Sequence, residues 1–313
     1  MGSQYPKVVL LGPTASGKTS VAIDIARSLP KVELVSVDAF AVYKGMDIGT
    51  AKPERPQLND LFFHMIDLVE PSADYSAGLF KKEAERVISE IESRKNIPLL
   101  VGGSAMYLSS IVEGMEFPGT WPDIRRDLEE ELDKNGPLGL YKMLEEKDPA
   151  ASAKMEPTNG RRIVRALEVI LGSGKKFSSY GPGFGSYQPN CFRQIGIQLE
   201  MEIMDKNIEQ RVHIQLERGL VEEVSWLLDQ PQALARAPKN AIGYSEIADY
   251  LQGKMTLEAA VGEIIVRTKR FARRQLRWWR RDPRILWIDG SDLKEVSLTV
   301  RETILECCGL IKL

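Results

Sequence analysis

The feature of this 313-residue sequence that most restricts its fold is a glycine-rich loop near the N-terminus. The loop matches G-x-x-x-x-G-K-[ST] at every fixed position and lies between an apolar, strand-like run and a helical pattern. It consists of Gly12, Pro13, Thr14, Ala15, Ser16, Gly17, Lys18 and Thr19. A strand, a loop and a helix in this order predict a P-loop α/β core, because a chance match lacks that context.

Each part of this loop suits a ligand that bears phosphate. The glycines let backbone N–H groups turn towards phosphate oxygens, and the N-terminus of the following helix adds its positive dipole end. Lys18 supplies a positive charge, and the Thr19 hydroxyl can ligate Mg²⁺. The loop therefore predicts binding of a ligand that bears phosphate, either a diphosphate or a nucleotide such as ATP, with Mg²⁺ as the cofactor.

The rest of the chain alternates strand and helix patterns on both sides of a helical stretch. Strands are predicted at 7–11, 33–37, 97–101, 194–199 and 285–288, and helices at 18–29, 77–94, 123–134, 138–146 and 161–171. This order is typical of a doubly wound parallel sheet, an α/β fold, with an all-helical insertion domain. We expect residues 1–116 and 191–313 to form the two parts of the core, and residues 117–190 the insertion.

Two strand ends bear on the chemistry. The third strand ends at Gly102-Gly103, where a nucleotide hydrolase usually carries an Asp that holds Mg²⁺. Asp38 follows the second strand, so it should share an edge of the sheet with the loop. Asp38 can accept a proton from an incoming nucleophile, or it can cap a turn. That nucleophile is a hydroxyl in a small-molecule kinase, or an amine that attacks carbon as diphosphate leaves; spacing does not choose between them.

The composition is that of a globular chain without a membrane span. The longest apolar runs fall well short of the ~18–20 residues that a span needs, and the N-terminus lacks the apolar stretch of a signal peptide. The three cysteines suit free thiols in a reducing cytoplasm, and two histidines make a His-rich zinc site unfavourable. Because the net charge is −2, any binding of nucleic acid must come from a local basic patch.

Such a patch is predicted on a helix over residues 263–281. Its arginines recur at helical spacing and form one cationic stripe: Arg270, Arg273, Arg274, Arg277 and Arg281. A second cluster in the insertion contains Arg161, Arg162 and Arg165. Guanidinium groups in a row can bridge phosphates of a nucleic-acid backbone; the alternative is a solvated helix face paired with local acids.

Several segments together resemble one family, the bacterial tRNA dimethylallyltransferases (tRNA isopentenyltransferases). They are GPTASGKT, SVDAFAVYKGMDIGTAKP, FFHMIDLVEP, IPLLVGGSAMYL, RRIVRALEV, NAIGYSEI and TKRFARRQLRWWR. The match is collinear from Val8 to about Asp289, and YKGMDIGTAKP alone is nearly diagnostic.

The resemblance implies a reaction and roles for individual residues. The dimethylallyl group of dimethylallyl diphosphate passes to N6 of adenosine 37 in tRNAs that read codons starting with U, and diphosphate leaves with assistance from Mg²⁺. Asp38 stands at the family's general-base position, while Ser104 and Arg125 match positions that contact the substrates. The base must leave its stack to reach a buried Asp.

The resemblance also implies a set of tRNA contacts and a cellular setting. The expected contacts are Asp38, Ala39, Phe40, Ala41, Arg161, Arg162, Arg165, Arg273, Arg274 and Arg277. The partner is the anticodon stem-loop, gripped by the helical insertion. A cytoplasmic monomer that does not bind membranes is the family expectation.

Some positions depart from the family pattern without removing the loop, Asp38 or the basic helix. The run Ala39-Phe40-Ala41 replaces more polar residues, Ser104 replaces Thr, Arg161 stands where Gln is common, and Phe63 replaces a His. Two rivals stay open: a prenyltransferase that acts on free adenine nucleotides, and a P-loop kinase. An RNA-binding protein without catalysis is disfavoured by the intact loop beside Asp38.

Overall fold

The computed structural model describes residues 7–58, 61–180 and 187–309, and the chain divides into two compact units. The first unit is Met1–Glu113 with Tyr187–Leu313, and the second is Gly114–Ser186. The second unit thus begins and ends a few residues before the expected 117–190. Residues 187–190 belong to the first unit because Arg284 donates to the carbonyl of Gln188 (2.6 Å) and Asn190 to that of Val112 (3.1 Å).

The first unit is built on a six-stranded sheet of order β3-β2-β4-β1-β5-β6, and every neighbouring pair is parallel. The strands are β1 (Lys7–Leu11), β2 (Val32–Val37), β3 (Phe63–His64), β4 (Ile97–Gly102), β5 (Phe192–Gln198) and β6 (Ile285–Asp289). The predicted doubly wound parallel α/β sheet is confirmed.

Helices cover both faces of this sheet, and the described part of the second unit contains helices but no strand. In chain order they are α1 (Lys18–Ser28), α2 (Arg55–Leu58), α3 (Ala77–Ser93), α4 (Ala105–Val112), α5 (Pro122–Asn135), α6 (Pro137–Lys147), α7 (Pro149–Ser152), α8 (Gly160–Ser173), α9 (Met201–Glu217), α10 (Leu220–Leu228), α11 (Arg236–Lys239), α12 (Tyr244–Leu251), α13 (Leu257–Trp279) and α14 (Leu293–Cys307). Helices α5 to α8 belong to the second unit. No helix in the described ranges is long and apolar enough to cross a membrane.

Alternation along the central strands produces two cores. Leu10 and Leu34 belong to a cluster that also includes side chains of α1 and α14. Val9 and Val35 point to the opposite face, where the larger cluster includes side chains of α3, α4, α12 and α13. Because these strands are buried on both faces, they appear in the sequence as continuous apolar runs rather than as alternating ones.

The carboxyl ends of three neighbouring strands meet at one edge. Leu11 pairs with Gly102, and Gly102 pairs with Val37, so the residues that follow β1, β2 and β4 come together there. A Cβ at Gly102 would lie 2.1 Å from the Val37 carbonyl oxygen, so the strands meet at this distance only with glycine. This edge places the glycine-rich loop, Asp38 and Ser104 near one another.

The second unit has its own apolar core. Helices α5, α6 and α8 pack around Leu128, Leu144, Ile163 and Leu167, all less than 9% exposed. Asp148 caps the N-terminus of α7, where its buried carboxylate accepts the Ala151 N–H. The same carboxylate accepts the Ser178 N–H (2.8 Å). The three helices predicted in the insertion are confirmed to within two residues at either end. Of the predicted glycine- and proline-rich stretch 178–189, residues 181–186 lie outside the described ranges.

Candidate active site

The glycine-rich loop leaves β1 at Gly12 and enters α1 through Gly17, whose φ of +84° favours glycine. The backbone N–H groups of residues 15–19 find no acceptor in the described parts of the chain. Five free amides at the start of a helix form a ready anion site.

Lys18 lies inside this loop, and its Nζ donates to the Pro13 carbonyl (2.6 Å). The pKa of Lys18 is lowered to about 7, chiefly by burial and also by the nearby charge of Arg211, while the carboxylate of Asp38 opposes both. A lysine held this way gains its full charge when an anion enters the loop.

Helix α9 supplies two loop contacts that sequence reasoning missed. Arg211 donates from Nη1 to the Thr14 hydroxyl (3.1 Å), and Asn207 donates to the Ala15 carbonyl (3.3 Å). Burial lowers the pKa of Arg211, while Asp38 raises it. Since the two partners of each pair are more than 190 residues apart in the chain, no local motif could have revealed them.

Asp38 both shapes a turn and faces the loop. Its Oδ1 accepts the N–H groups of Phe40 (2.8 Å) and Ala41 (3.1 Å). Its Oδ2 has no hydrogen-bond partner within residues 7–58, 61–180 and 187–309. The carboxylate lies close enough to Lys18 and Arg211 to act on both pKa values. The turn and the proton-acceptor roles therefore coexist, on different oxygens.

Ser104 lies beside this turn, because its Oγ accepts the N–H of Ala39 (3.0 Å). The hydroxyl thus fixes the backbone next to Asp38. Phe40 is half-buried and contributes to the cavity described next, whereas the Ala41 side chain is buried. Only the backbone of Ala41 can therefore meet a macromolecule.

Two cavities adjoin the loop and share Arg211. The first, which we call the Asp38 cavity, has a volume of about 520 Å³. Its polar and aromatic lining includes Thr14, Asp38, Phe40, Thr50, Arg211, Tyr244, Arg267, Arg270, Phe271 and Arg274. The second, the loop cavity, has a volume of about 650 Å³, and its charged lining consists of Lys18, Asp24, Arg27, Lys52, Arg211, Arg218 and Lys294. Lys52 already pairs with Asp47 and Asp67, and Arg218 with Glu54, but the remaining four cations outnumber Asp24 and make the loop cavity suitable for an anion.

The basic stripe of α13 is divided by the structure. Arg273 pairs with Asp205 of α9 (2.7 Å), as the solvated-face alternative expects. Arg270 and Arg274 face the Asp38 cavity, are exposed, and have no acidic partner in the described chain. The Arg274 guanidinium lies 5.9 Å from the ring centroid of Phe271. Arg277 is also exposed.

The arginines of the second unit fall into two groups. Arg125 and Arg165 both pair with the fully buried Glu168, at 2.6 Å and 2.8 Å. Burial alone would raise the pKa of Glu168, but hydrogen bonds from the Trp121 N–H and the two arginines outweigh it and lower the pKa. Arg161 and Arg162 are exposed on the same helix as Glu168.

The donor set of the site does not resemble a preformed metal cage. No group of three or more His, Cys, Asp or Glu side chains in the described residues could hold a metal ion. The half-buried Thr19 at the first turn of α1 offers a single hydroxyl beside the free loop amides. This set suits a cation that arrives with phosphate oxygens and keeps several waters.

Fold and site together define a P-loop enzyme of the transferase class, with a base-like carboxylate after β2 and no acidic residue after β4. The family model described as IPP transferase matches residues 41–282. The chain belongs to the IPP transferase family, which confirms the resemblance seen in the sequence.

Similar proteins support this assignment over most of the chain. A tRNA dimethylallyltransferase of Bifidobacterium adolescentis is 41% identical, covering 90% of this chain and 84% of its own length. One from Nocardioides is 41% identical and covers 93% of both chains. The crystal structure of the full-length tRNA isopentenylpyrophosphate transferase of Bacillus halodurans is 32% identical, with a TM-score of 0.70 over 98% of this chain and 99% of that one. A eukaryotic dimethylallyltransferase acting on tRNA is 25% identical, with a TM-score of 0.78 over 96% of this chain and 77% of that chain.

Proposed function

We propose that this enzyme transfers the dimethylallyl group of dimethylallyl diphosphate to N6 of adenosine 37 in tRNA and releases diphosphate. The proposal rests mainly on one observation at the edge of the sheet. Arg211 contacts the anion-binding loop through Thr14, and the same guanidinium lies near Asp38, whose Oδ2 is available to a substrate. A carboxylate beside an anion cradle suits a reaction in which a proton and a diphosphate leave together.

The donor's diphosphate is held by the loop in this proposal. The free N–H groups of residues 15–19 and the charge of Lys18 bind its oxygens, and the dipole of α1 adds to them. Arg211 is positioned by Thr14 to face the same anion. These groups stabilise negative charge as it develops on the leaving oxygens.

Mg²⁺ is the cation that this donor set fits. The Thr19 hydroxyl would be its protein ligand, together with diphosphate oxygens and water, since Mg²⁺ commonly binds through few protein groups. When bound, the ion supplies positive charge to the leaving diphosphate. The chain's own contribution is to place the donor against Asp38 and to exclude water, which would otherwise compete for the allyl group.

The acceptor adenine enters the Asp38 cavity after leaving its stack. Its N6 attacks C1 of the dimethylallyl group, the C1–O bond breaks with its electron pair passing to diphosphate, and Oδ2 of Asp38 takes the N6 proton. Ser104 keeps the Asp38 turn in place through Ala39. Arg125 stays a proposed substrate contact on the ground of the resemblance, with its guanidinium also bonded to Glu168.

RNA binding in this proposal uses both units. The exposed Arg274 and Arg277 of α13, Phe40 of the Asp38 turn, and Arg161 and Arg162 of α8 are its contacts. Arg165 and Arg273, which pair with acids, support these elements and stay weaker candidates. Action as a cytoplasmic monomer, on tRNAs that read codons starting with U, belongs to the same proposal.

A transfer assay tests the proposal directly. The protein is incubated with Mg²⁺, dimethylallyl diphosphate and an unmodified tRNA whose run of three adenosines begins at the last anticodon position and includes adenosine 37. Nuclease digestion and mass spectrometry should then find one dimethylallyl group on adenosine 37. Product on AMP and none on tRNA would favour a free-nucleotide enzyme, and phosphate transfer from ATP would favour a kinase. A parallel reaction without Mg²⁺ tests the cation.

A further inference from the structure

Gln275 is a buried amide on the otherwise basic helix α13, and it touches the loop. Its side chain is 7% exposed, and it directly follows Arg274, which lines the Asp38 cavity. Its Oε1 accepts the N–H of Thr14 (2.9 Å), and its Nε2 donates to the Gly103 carbonyl (2.8 Å). One carboxamide therefore joins α13, the glycine-rich loop and the end of β4.

The contact to Thr14 bears on how the loop is shaped. Gln275 accepts the Thr14 N–H, and Arg211 donates to the Thr14 hydroxyl. Thr14 is therefore held by α13 and α9 at once. The next five N–H groups are left without acceptors in the described chain. The Thr14 N–H is thus bonded to the protein, whereas the N–H groups that follow it in the loop are available to a ligand.

The contact to Gly103 depends on the absence of a side chain at that position. A Cβ at Gly103 would lie 2.5 Å from the Gly12 carbonyl oxygen and 2.6 Å from Nε2 of Gln275. Those distances are too short for any side chain. The place after β4 that an acidic residue takes in nucleotide hydrolases is thus filled by the amide of Gln275.

We propose that Gln275 is a positioning residue for the donor: it fixes the glycine-rich loop in the shape that binds diphosphate. The proposal rests on the proposed function for the identity of the donor. Both ends of the carboxamide are needed, because Thr14 offers a donor and Gly103 an acceptor.

Methionine at position 275 keeps the volume of the side chain and loses both hydrogen bonds. Glutamate keeps the acceptor for Thr14 but places an oxygen against the Gly103 carbonyl.

Binding of inorganic diphosphate with Mg²⁺, measured by titration calorimetry, tests this without requiring catalysis. Q275M should weaken binding about tenfold, the size expected when two hydrogen bonds that order a site are removed. Its affinity for an anticodon stem-loop RNA should stay within about twofold of wild type. Q275E, nearly identical in shape, should bind diphosphate at least as weakly as Q275M, because it adds negative charge beside the loop. The matched control is Q252M, at an exposed glutamine.

Steady-state kinetics separate positioning from a merely structural role. In Q275M, KM for dimethylallyl diphosphate should rise while KM for tRNA is unchanged. Wild-type diphosphate affinity in both Gln275 variants, or an equal loss of RNA and diphosphate binding, would overturn the proposal. If the wild-type protein binds diphosphate but does not prenylate tRNA, the proposed function fails, while the calorimetric test of Gln275 still stands.

Discussion

Asp38 shows why the choice of variant matters at the scale of single residues. Its Oδ1 holds the turn at Phe40 and Ala41, and only Oδ2 has no hydrogen-bond partner among the residues that the structure describes. Alanine would remove the turn together with the proton acceptor. Asparagine keeps an oxygen for both N–H groups but does not take up a proton at neutral pH.

We expect D38N to lower kcat by about 10²–10⁴-fold, the usual contribution of a general base. Binding of diphosphate and of the anticodon stem-loop should change little, because the turn is kept. Single-turnover transfer and calorimetry measure the two effects separately. Transfer by D38N at the wild-type rate would remove Asp38 from the base role.

The charge of Lys18 makes donor binding depend on pH. Its pKa of about 7, lowered by burial, means that the free protein carries this charge below pH 7 and loses it above. An anion in the loop favours the charged form, so binding above pH 7 takes up a proton and weakens as the pH rises.

Calorimetry at pH 8, in two buffers of different ionisation enthalpy, measures the number of protons taken up on binding. Lys18 should take up close to one proton for each diphosphate that binds. K18M is the control. Diphosphate itself takes up protons to the same extent with both proteins, so the difference in proton uptake between wild type and K18M belongs to Lys18. Equal uptake by wild type and K18M would contradict this assignment.

At the scale of elements, much of the core was predictable and the cross-chain contacts were not. The strands at 7–11, 33–37 and 97–101 were found to within one residue, because strands buried on both faces leave continuous apolar runs. Strand β3 was missed, since two residues carry no periodicity. Helix α9 shows Met204, Ile208 and Val212 at every fourth position, but the contact of its Arg211 with Thr14 spans 197 residues.

Helix α13 gives a prediction at this scale, because its arginines differ in their partners. Arg270 and Arg274 face the Asp38 cavity and form no ion pair in the described part of the chain, whereas Arg273 is bonded to Asp205. Replacing both Arg270 and Arg274 with Ala should weaken stem-loop binding and reduce its salt slope by about 0.7–0.9 for each RNA phosphate that these two side chains neutralise. R273A should change the slope less. A larger slope change in R273A than in the double variant would assign RNA binding to the edge of the stripe at Arg273, away from the Asp38 cavity.

At the scale of the whole molecule, the chain consists of two units that each have a core. In the helical unit the buried carboxylate of Glu168 links two helices, since it joins Arg125 of α5, Arg165 of α8 and the Trp121 N–H. The sequence predicted these arginines as substrate and RNA contacts. It could not predict their shared partner, because Glu168 lies on the same apolar helix face as Val164 and Leu167.

Because each unit has its own core, we expect a substitution that destabilises one unit to leave the other folded. E168A leaves two guanidinium groups and an N–H without their buried partner, and we expect it to destabilise the helical unit by about 2–4 kcal/mol. Because the loop, Lys18 and Arg211 all belong to the first unit, diphosphate binding should be retained, while KM for tRNA rises. Hydrogen exchange should increase in α5, α6 and α8 and stay unchanged in the sheet. E145A, at an exposed position of α6, is the matched control. Loss of diphosphate binding in E168A, together with faster exchange in β1 and β4, would mean that the two units unfold as one.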